Sequence, residues 1–91
     1  MPLMRGRILG YDAERMAFHF TMLNKGETVE CAISGAAMDE LADKRGTLPA
    51  EREAQFLLLR EAIERIASDN FDRESIARGL VVRIFAKHIR R

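Results

Sequence analysis

Apolar and polar residues alternate along the first third of the chain, which is typical of strands in a sheet with one buried face. In the segment MAFHFTML, the residues on one side are Met16, Phe18, Phe20 and Met22. The next alternating segment, ETVECAI, follows the tripeptide NKG, in which Asn24 and Gly26 can take a positive φ. The pattern predicts a tight antiparallel hairpin, preceded by a shorter strand in RGRILGYD.

The apolar side of the second hairpin strand carries Val29, Cys31 and Ile33. The alternation does not fix the register, because two registers that differ by two residues keep the same apolar face. A slip by an odd number of residues would bury Glu30 instead. The thiol of Cys31 is therefore predicted to point into the apolar layer, where a free cysteine packs as a small hydrophobic side chain.

Ser34 ends this strand, and serine is typical of a helix N-cap. The apolar residues Met38 and Leu41 then follow at helical spacing. We expect a first helix that runs to about Lys44 and stops near Gly46.

The clearest helical pattern extends from about Pro49 to Ser68. Its apolar stripe consists of Phe56, Leu59, Ile63, Ile66 and Ala67. Leu57 and Leu58 fall outside this stripe, so they either broaden the buried face or lie on a surface that meets another chain. Glu61 and Arg65 have the i,i+4 spacing of an ion pair on the helix surface.

The segment LVVRIFA, at 80–86, is rich in β-branched and aromatic residues and predicts a last strand with Leu80, Val82 and Ile84 towards the core. Residues 69–79 fit a loop, a helix extension or a short turn equally well. The order of elements predicts an α+β domain of two layers, in which two helices pack on one face of an antiparallel sheet of about four strands. The predicted core comprises Phe18, Phe20, Val29, Ile33, Leu41, Phe56, Leu59, Ile63 and Ile66.

Ninety-one residues are enough for a single domain, which we place at 1–91. The longest apolar run, FLLL, is far shorter than the ~20 residues of a membrane span, and no signal peptide is visible. One cysteine cannot form an internal disulfide, which fits a reducing compartment. We therefore expect a cytoplasmic protein with no membrane partner.

The formal net charge of +1 indicates no strong preference for a partner, but basic residues are concentrated near the carboxyl terminus. They could contact nucleic acid, although a solvated terminus is the favoured interpretation. The candidate contacts are Arg83, Lys87, Arg90 and Arg91.

No set of residues in the sequence assembles a catalytic centre. His19 has the opposite parity to Phe18 and Phe20, so it falls on the other face of the sheet from Cys31, and a cysteine–histidine dyad is not expected. No CxxC or HxxxH spacing and no glycine-rich phosphate loop is present, so we expect no metal, cofactor or small-molecule ligand. The carboxylates have the spacing of a solvated helix surface: Asp39, Glu40, Asp43, Glu51, Glu53, Glu61 and Glu64.

Several short motifs together resemble one bacterial family. They are YDAERMAFHF, a hairpin into VECAIS, a helix with MDEL, a helix with REAIERIA and a late strand after a glycine. The family is known as domain of unknown function fourteen-eighty-eight. The resemblance implies a compact α+β domain and supplies no functional residue. The ending AKHIRR departs from the acidic ending expected of a member, so a role for the basic terminus would belong to this chain.

The functional hypothesis that these observations favour is a non-catalytic interaction module that forms a homodimer, with Leu57 and Leu58 at the interface. The alternative is a weak nucleic-acid-binding protein that uses the basic carboxyl-terminal segment. A small enzyme is the third possibility, and no motif supports it.

Overall fold

A computed structural model describes residues 3–74 and 81–89 of the chain. Three strands, two helices and a last strand follow one another, with a short 3-10 turn before the second helix and another after the last strand. The elements are β1 (Met4–Asp12), β2 (Ala17–Asn24), β3 (Glu27–Ser34), α1 (Gly35–Ala42), α2 (Arg52–Glu74) and β4 (Val82–Ile84). The predicted α+β architecture, with its order of elements, is confirmed.

The four strands form one sheet in the order β1-β2-β3-β4. The first two ladders are antiparallel, as predicted, but β4 pairs with β3 in parallel. Parallel neighbours need a crossover connection, and here the helical layer provides it. The uniformly antiparallel sheet expected from the sequence is thus wrong for this last ladder alone.

The β2–β3 hairpin adopts one of the registers that the alternation of apolar and polar residues allows. Phe18 pairs with Ile33 and Phe20 with Cys31, so the apolar sides of both strands coincide. The turn places Lys25 and Gly26 at φ values of 53° and 86°, as a two-residue turn of type I′ requires. Asn24, expected in the turn, remains in the ladder opposite Glu27.

The core lies between the sheet and the two helices. Its centre is the ring of Phe56, which stacks on Phe18 with centroids 4.5 Å apart and contacts Phe20 at 5.0 Å. The fully buried larger apolar side chains are Phe18, Phe20, Met22, Cys31, Ile33, Met38, Phe56, Ile63, Val82 and Ile84. Four predicted core residues are only partly buried at the margin of this cluster: Val29, Leu41, Leu59 and Ile66.

The start of β2 and the end of α1 differ from the sequence-based prediction. Met16 lies in the turn before β2 at φ 54° and is exposed, so the alternation begins one residue later. Helix α1 ends at Ala42, because Asp43 adopts the left-handed conformation at φ 55° and donates its N–H to Asp39 and Glu40 carbonyls. The stop therefore comes before Lys44 and Gly46.

Helix α2 is displaced and longer than predicted. Pro49 begins a 3-10 turn, Pro49–Glu51, and α2 proper starts at Arg52 and continues to Glu74. The helix extension was thus the right alternative for 69–74, whereas residues 75–80, including Leu80, lie outside the described ranges. Strand β4 is shorter than predicted, with Val82 and Ile84 towards the core.

Candidate functional site

Two adjacent leucines of α2 lie on the surface of the protein. The side chain of Leu58 is 86% exposed and that of Leu57 is 50% exposed. Helix α1 packs against α2 elsewhere and does not cover them. They do not broaden the buried face, which excludes one of the two alternatives left by the sequence.

The surface around Leu58 is defined by the helical repeat. At about 100° per residue, positions four or seven residues away lie within about 40° of Leu58 around the helix axis. Three of these positions lie in α2 itself: Ala54, Ala62 and Arg65. The fourth is Glu51, the last residue of the 3-10 turn that leads directly into α2, and all four are exposed except the partly buried Ala62. Together with Leu58 they form what we call the outer face of α2: a small apolar centre with a charged residue at each end.

A buried ion pair fixes the beginning of α2 on its opposite side. Arg52 is 6% exposed, and its Nη1 donates to Asp39 Oδ1 at 2.7 Å and to Gln55 Oε1 at 2.7 Å. The same nitrogen donates to the carbonyl oxygen of Gly35 at 3.3 Å. These contacts join the first turn of α2 to α1.

Asp39 receives two further hydrogen bonds at the same oxygen, from Thr47 Oγ1 at 2.6 Å and from Gln55 Nε2 at 3.0 Å. Burial raises the pKa of Asp39, but the hydrogen bonds from Gln55, Thr47 and Arg52 and the positive charge of Arg52 outweigh burial and lower the pKa to about 2. A carboxylate this acidic is a poor general base at neutral pH. We therefore interpret the Asp39–Arg52 pair as a structural joint.

Close packing around the guanidinium explains why glycine occupies position 35. A Cβ added to Gly35 would lie 2.7 Å from Arg52 Nη2. On another side, the guanidinium lies over the ring of Tyr11, 5.5 Å from its centroid. Arg52 Nε is buried and has no hydrogen-bond partner in the described part of the chain.

The assignment of Asp39 and Glu64 to a solvated surface was wrong. The side chain of Asp39 is 15% exposed and that of Glu64 is 13% exposed. Glu64 accepts hydrogen bonds from Arg5 of β1 and from Arg60 one turn earlier, with N–O distances of 2.9–3.1 Å. The helical spacing contains a signal for the buried ion pair. Arg52 precedes Phe56 by four residues and so falls on the buried stripe, where a charged side chain needs a partner.

Cys31 lies in the core, as the parity of its strand predicted. It is 1% exposed, and its Sγ approaches the carbonyl oxygen of Val29 at 3.7 Å. Burial raises the pKa of the thiol to about 12. The structure therefore gives Cys31 neither the exposure nor the low pKa of a catalytic nucleophile.

We predict that Cys31 reacts slowly with a chromogenic disulfide reagent in the native protein at pH 7–8, because the thiol is buried and almost entirely protonated. The control is the same protein in denaturant, where the reaction should be fast. Equal rates in the two conditions would contradict the assignment of Cys31 to the core. Cys31→Ala should lower the free energy of unfolding by roughly 1 kcal/mol, as expected for a small core truncation.

The predicted separation of Cys31 from His19 is present in the sheet. Cys31 pairs with Phe20 on the helix side, whereas His19 pairs with Ala32 on the open side. His19 Nε2 lies 4.0 Å from Asp12 Oδ2 in a partly exposed position. Within residues 3–74 and 81–89, no three side chains of the metal-binding types cluster closely enough to hold an ion.

Two of the four candidate nucleic-acid contacts lie within the described residues. Arg83 of β4 and Lys87 in the short turn Ala86–His88 are both exposed. Phe85 lies between them in sequence and is 45% exposed. Arg90 and Arg91 lie outside the described residues.

The second face of the sheet exposes little of its apolar side chains near the centre. Ala32, on the second face of the sheet, is only 3% exposed, and Leu23 on that face is partly buried. Neither helix of the described ranges is long and apolar enough to cross a membrane. Among the large apolar side chains of α2, the exposed ones are Leu57 and Leu58.

Comparison with known proteins identifies relatives without an established activity. The model of the family described as "Protein of unknown function (DUF1488)" matches residues 6–82. A crystal structure of a protein of unknown function from the same family, from Shewanella loihica PV-4, is similar with a TM-score of 0.70 and 21% sequence identity. The similarity covers 89% of this chain and 94% of that one. No curated protein matches the chain.

Proposed function

We propose, for a chain that belongs to the DUF1488 family, a non-catalytic role: it is an interaction module that self-associates through the outer face of α2. The observation that carries this proposal is the exposure of Leu58, at 86%, beside the half-exposed Leu57. Burying a leucine side chain contributes about 1.5–3 kcal/mol. A two-fold contact buries the same residue twice, once from each copy.

The distribution of charge and burial supports a contact at this place. Glu51, Glu61 and Arg65 are exposed around Leu58, so a polar rim surrounds the apolar centre. This arrangement, an apolar centre within a polar rim, is typical of protein interfaces. The Asp39–Arg52 joint holds the amino-terminal end of α2, from which the leucines project, against α1.

The test is Leu58→Glu. We expect the wild-type protein to show a concentration-dependent dimer in sedimentation equilibrium and the variant to be a monomer. At a concentration at which wild type is monomeric, the variant should unfold within about 0.5 kcal/mol of wild type, because the substituted side chain is on the surface of the monomer. Circular dichroism and a denaturant titration verify that it is folded.

The matched control is Leu9→Glu, which places the same charge at a 57% exposed leucine on β1. This control should dimerise like wild type. A wild-type protein that remains monomeric at millimolar concentration would contradict the proposal. So would a Leu58→Glu variant that dimerises as strongly as wild type, or a Leu9→Glu variant that alone becomes monomeric.

Weak nucleic-acid binding is the second candidate. The observation in its favour is that Phe85, a ring on which a base can stack, is exposed between the exposed residues Arg83 and Lys87. Such binding should weaken steeply as salt is raised. We rank it second because a single aromatic residue offers one stacking site, whereas single-strand binding surfaces use several.

A further inference from the structure

We infer that two copies of the chain pair through antiparallel α2 helices, with Leu58 of both copies at the two-fold axis and Glu51 of each copy opposite Arg65 of the other. This inference rests on the proposed self-association and specifies its geometry and its partner. The occupant of the outer face is thus a second copy of the same face.

The spacing of the outer face is symmetric about Leu58. Glu51 lies seven residues before it and Arg65 seven residues after it. In α2, the seven residues from Leu58 to Arg65 are about two helical turns, or roughly 10.5 Å along the axis, with a rotation of only about 20°. Glu51, in the 3-10 turn that leads directly into α2, ends the face on the other side of Leu58. In an antiparallel pair with its axis at Leu58, a residue n positions before Leu58 faces the residue n positions after it in the other copy. Glu51 therefore meets Arg65 at both ends of the contact.

The residues between the axis and the charges fit the same arrangement. Ala54 lies four residues before Leu58 and Ala62 four residues after it, so the two alanines face each other across the pair. Their small side chains allow the two helix backbones to approach closely beside the leucines. Helices that pack at a shallow angle through such a seam are common in bundles and coiled coils.

The charges select the antiparallel orientation. A parallel pair would place Glu51 against Glu51 and Arg65 against Arg65, and like charges at an interface disfavour pairing. Both side chains are exposed, and within the described ranges neither forms an ion pair in its own chain. The i,i+4 pair of Arg65 with Glu61 that the sequence predicted is not formed. Arg65 is therefore available to a carboxylate of the partner.

The contact is small compared with a standard interface of about 1,600 Å², since it involves one face of one helix from each copy. The dimer is expected to be in equilibrium with monomer and to depend on concentration and salt. Exposed ion pairs are screened by salt. The self-association of the variants should therefore be measured at about 50 mM ionic strength.

The experiment uses charge reversal in the full-length chain. Glu51→Arg alone and Arg65→Glu alone each create two repulsive contacts in a symmetric dimer. Each variant should self-associate about tenfold more weakly than wild type, because each reversal turns two attractive charge contacts into repulsive ones. When the two variants are mixed, arginine faces glutamate at both ends of the mixed pair. The mixture should therefore form a heterodimer about as tight as the wild-type dimer.

The matched control is Glu53→Arg, which reverses another exposed glutamate in the first turn of α2 but lies about 140° from Leu58 around the axis. It should dimerise like wild type. If wild type dimerises and Leu58→Glu prevents it, but the two reversal variants dimerise normally or fail to combine, the antiparallel geometry is overturned and self-association stands. If wild type is monomeric, both the geometry and the proposed function are overturned.

Discussion

Replacing Phe56 with alanine is expected to lower the free energy of unfolding by about 3–5 kcal/mol. The side chain is fully buried, and its ring contacts those of Phe18 and Phe20 at the centre of the core. Truncation removes both ring contacts and leaves a cavity between α2 and the sheet. Urea unfolding, followed by circular dichroism, measures the difference from wild type.

A loss of this size is a large part of the 5–15 kcal/mol by which domains are usually stable, so a second, milder variant is needed in case Phe56→Ala does not fold. Phe56→Leu then provides a milder variant whose cost should still be measurable, since it retains part of the buried volume. The control is Leu57→Ala, at the half-exposed next position. A Phe56 variant that unfolds at the same urea concentration as this control would show that the buried face of α2 is misassigned.

Removing Asp39 should also cost about 3–5 kcal/mol, because Asp39→Ala leaves the charge of Arg52 buried without its carboxylate. The hydrogen bonds from Thr47 and Gln55 lose their acceptor at the same time. Removing both charges, in Asp39→Ala with Arg52→Met, should cost less than the sum of the two single changes. A double-mutant cycle in urea measures this coupling.

The control for that cycle is Glu53→Ala, an exposed glutamate in the first turn of α2 whose removal should change stability by no more than about 0.5 kcal/mol. If the stability losses of the two single variants add up to the loss of the double variant, Asp39 and Arg52 are not coupled, which would contradict their role as a structural joint. So would an Asp39 variant as stable as the Glu53 control.

The same pair gives the stability a defined pH dependence. The pKa of Asp39 is lowered in the folded protein, from its ordinary value of 3.8 to about 2. The stabilisation from its ionised form is therefore fully present above about pH 4 and is lost as the pH falls from about 4 to 2. Wild type should lose more stability than the Asp39→Ala, Arg52→Met variant across this interval, measured by urea unfolding at several pH values.

The sequence determined the features that depend on near neighbours along the chain. Alternation alone assigned Phe18, Phe20, Cys31 and Ile33 to one face, because successive side chains of a strand point to opposite sides. It likewise separated His19 from Cys31. Helical spacing identified Phe56 and Ile63 as buried, and Ser34 was recognised as an N-cap, with its hydroxyl accepting from the Ala37 N–H at 3.1 Å.

Long-range packing decided the features of the fold that the local patterns did not determine. The register of the hairpin depends on the length of its turn, which the alternation left open. The parallel pairing of β4 depends on how the helices return over the sheet, which no local pattern encodes. The Asp39–Arg52 joint connects two helices across a loop, and the charge of each residue favours solvent until its partner is placed beside it. Only the tertiary structure shows that α1 leaves Leu58 uncovered, because exposure is a property of everything packed around a residue.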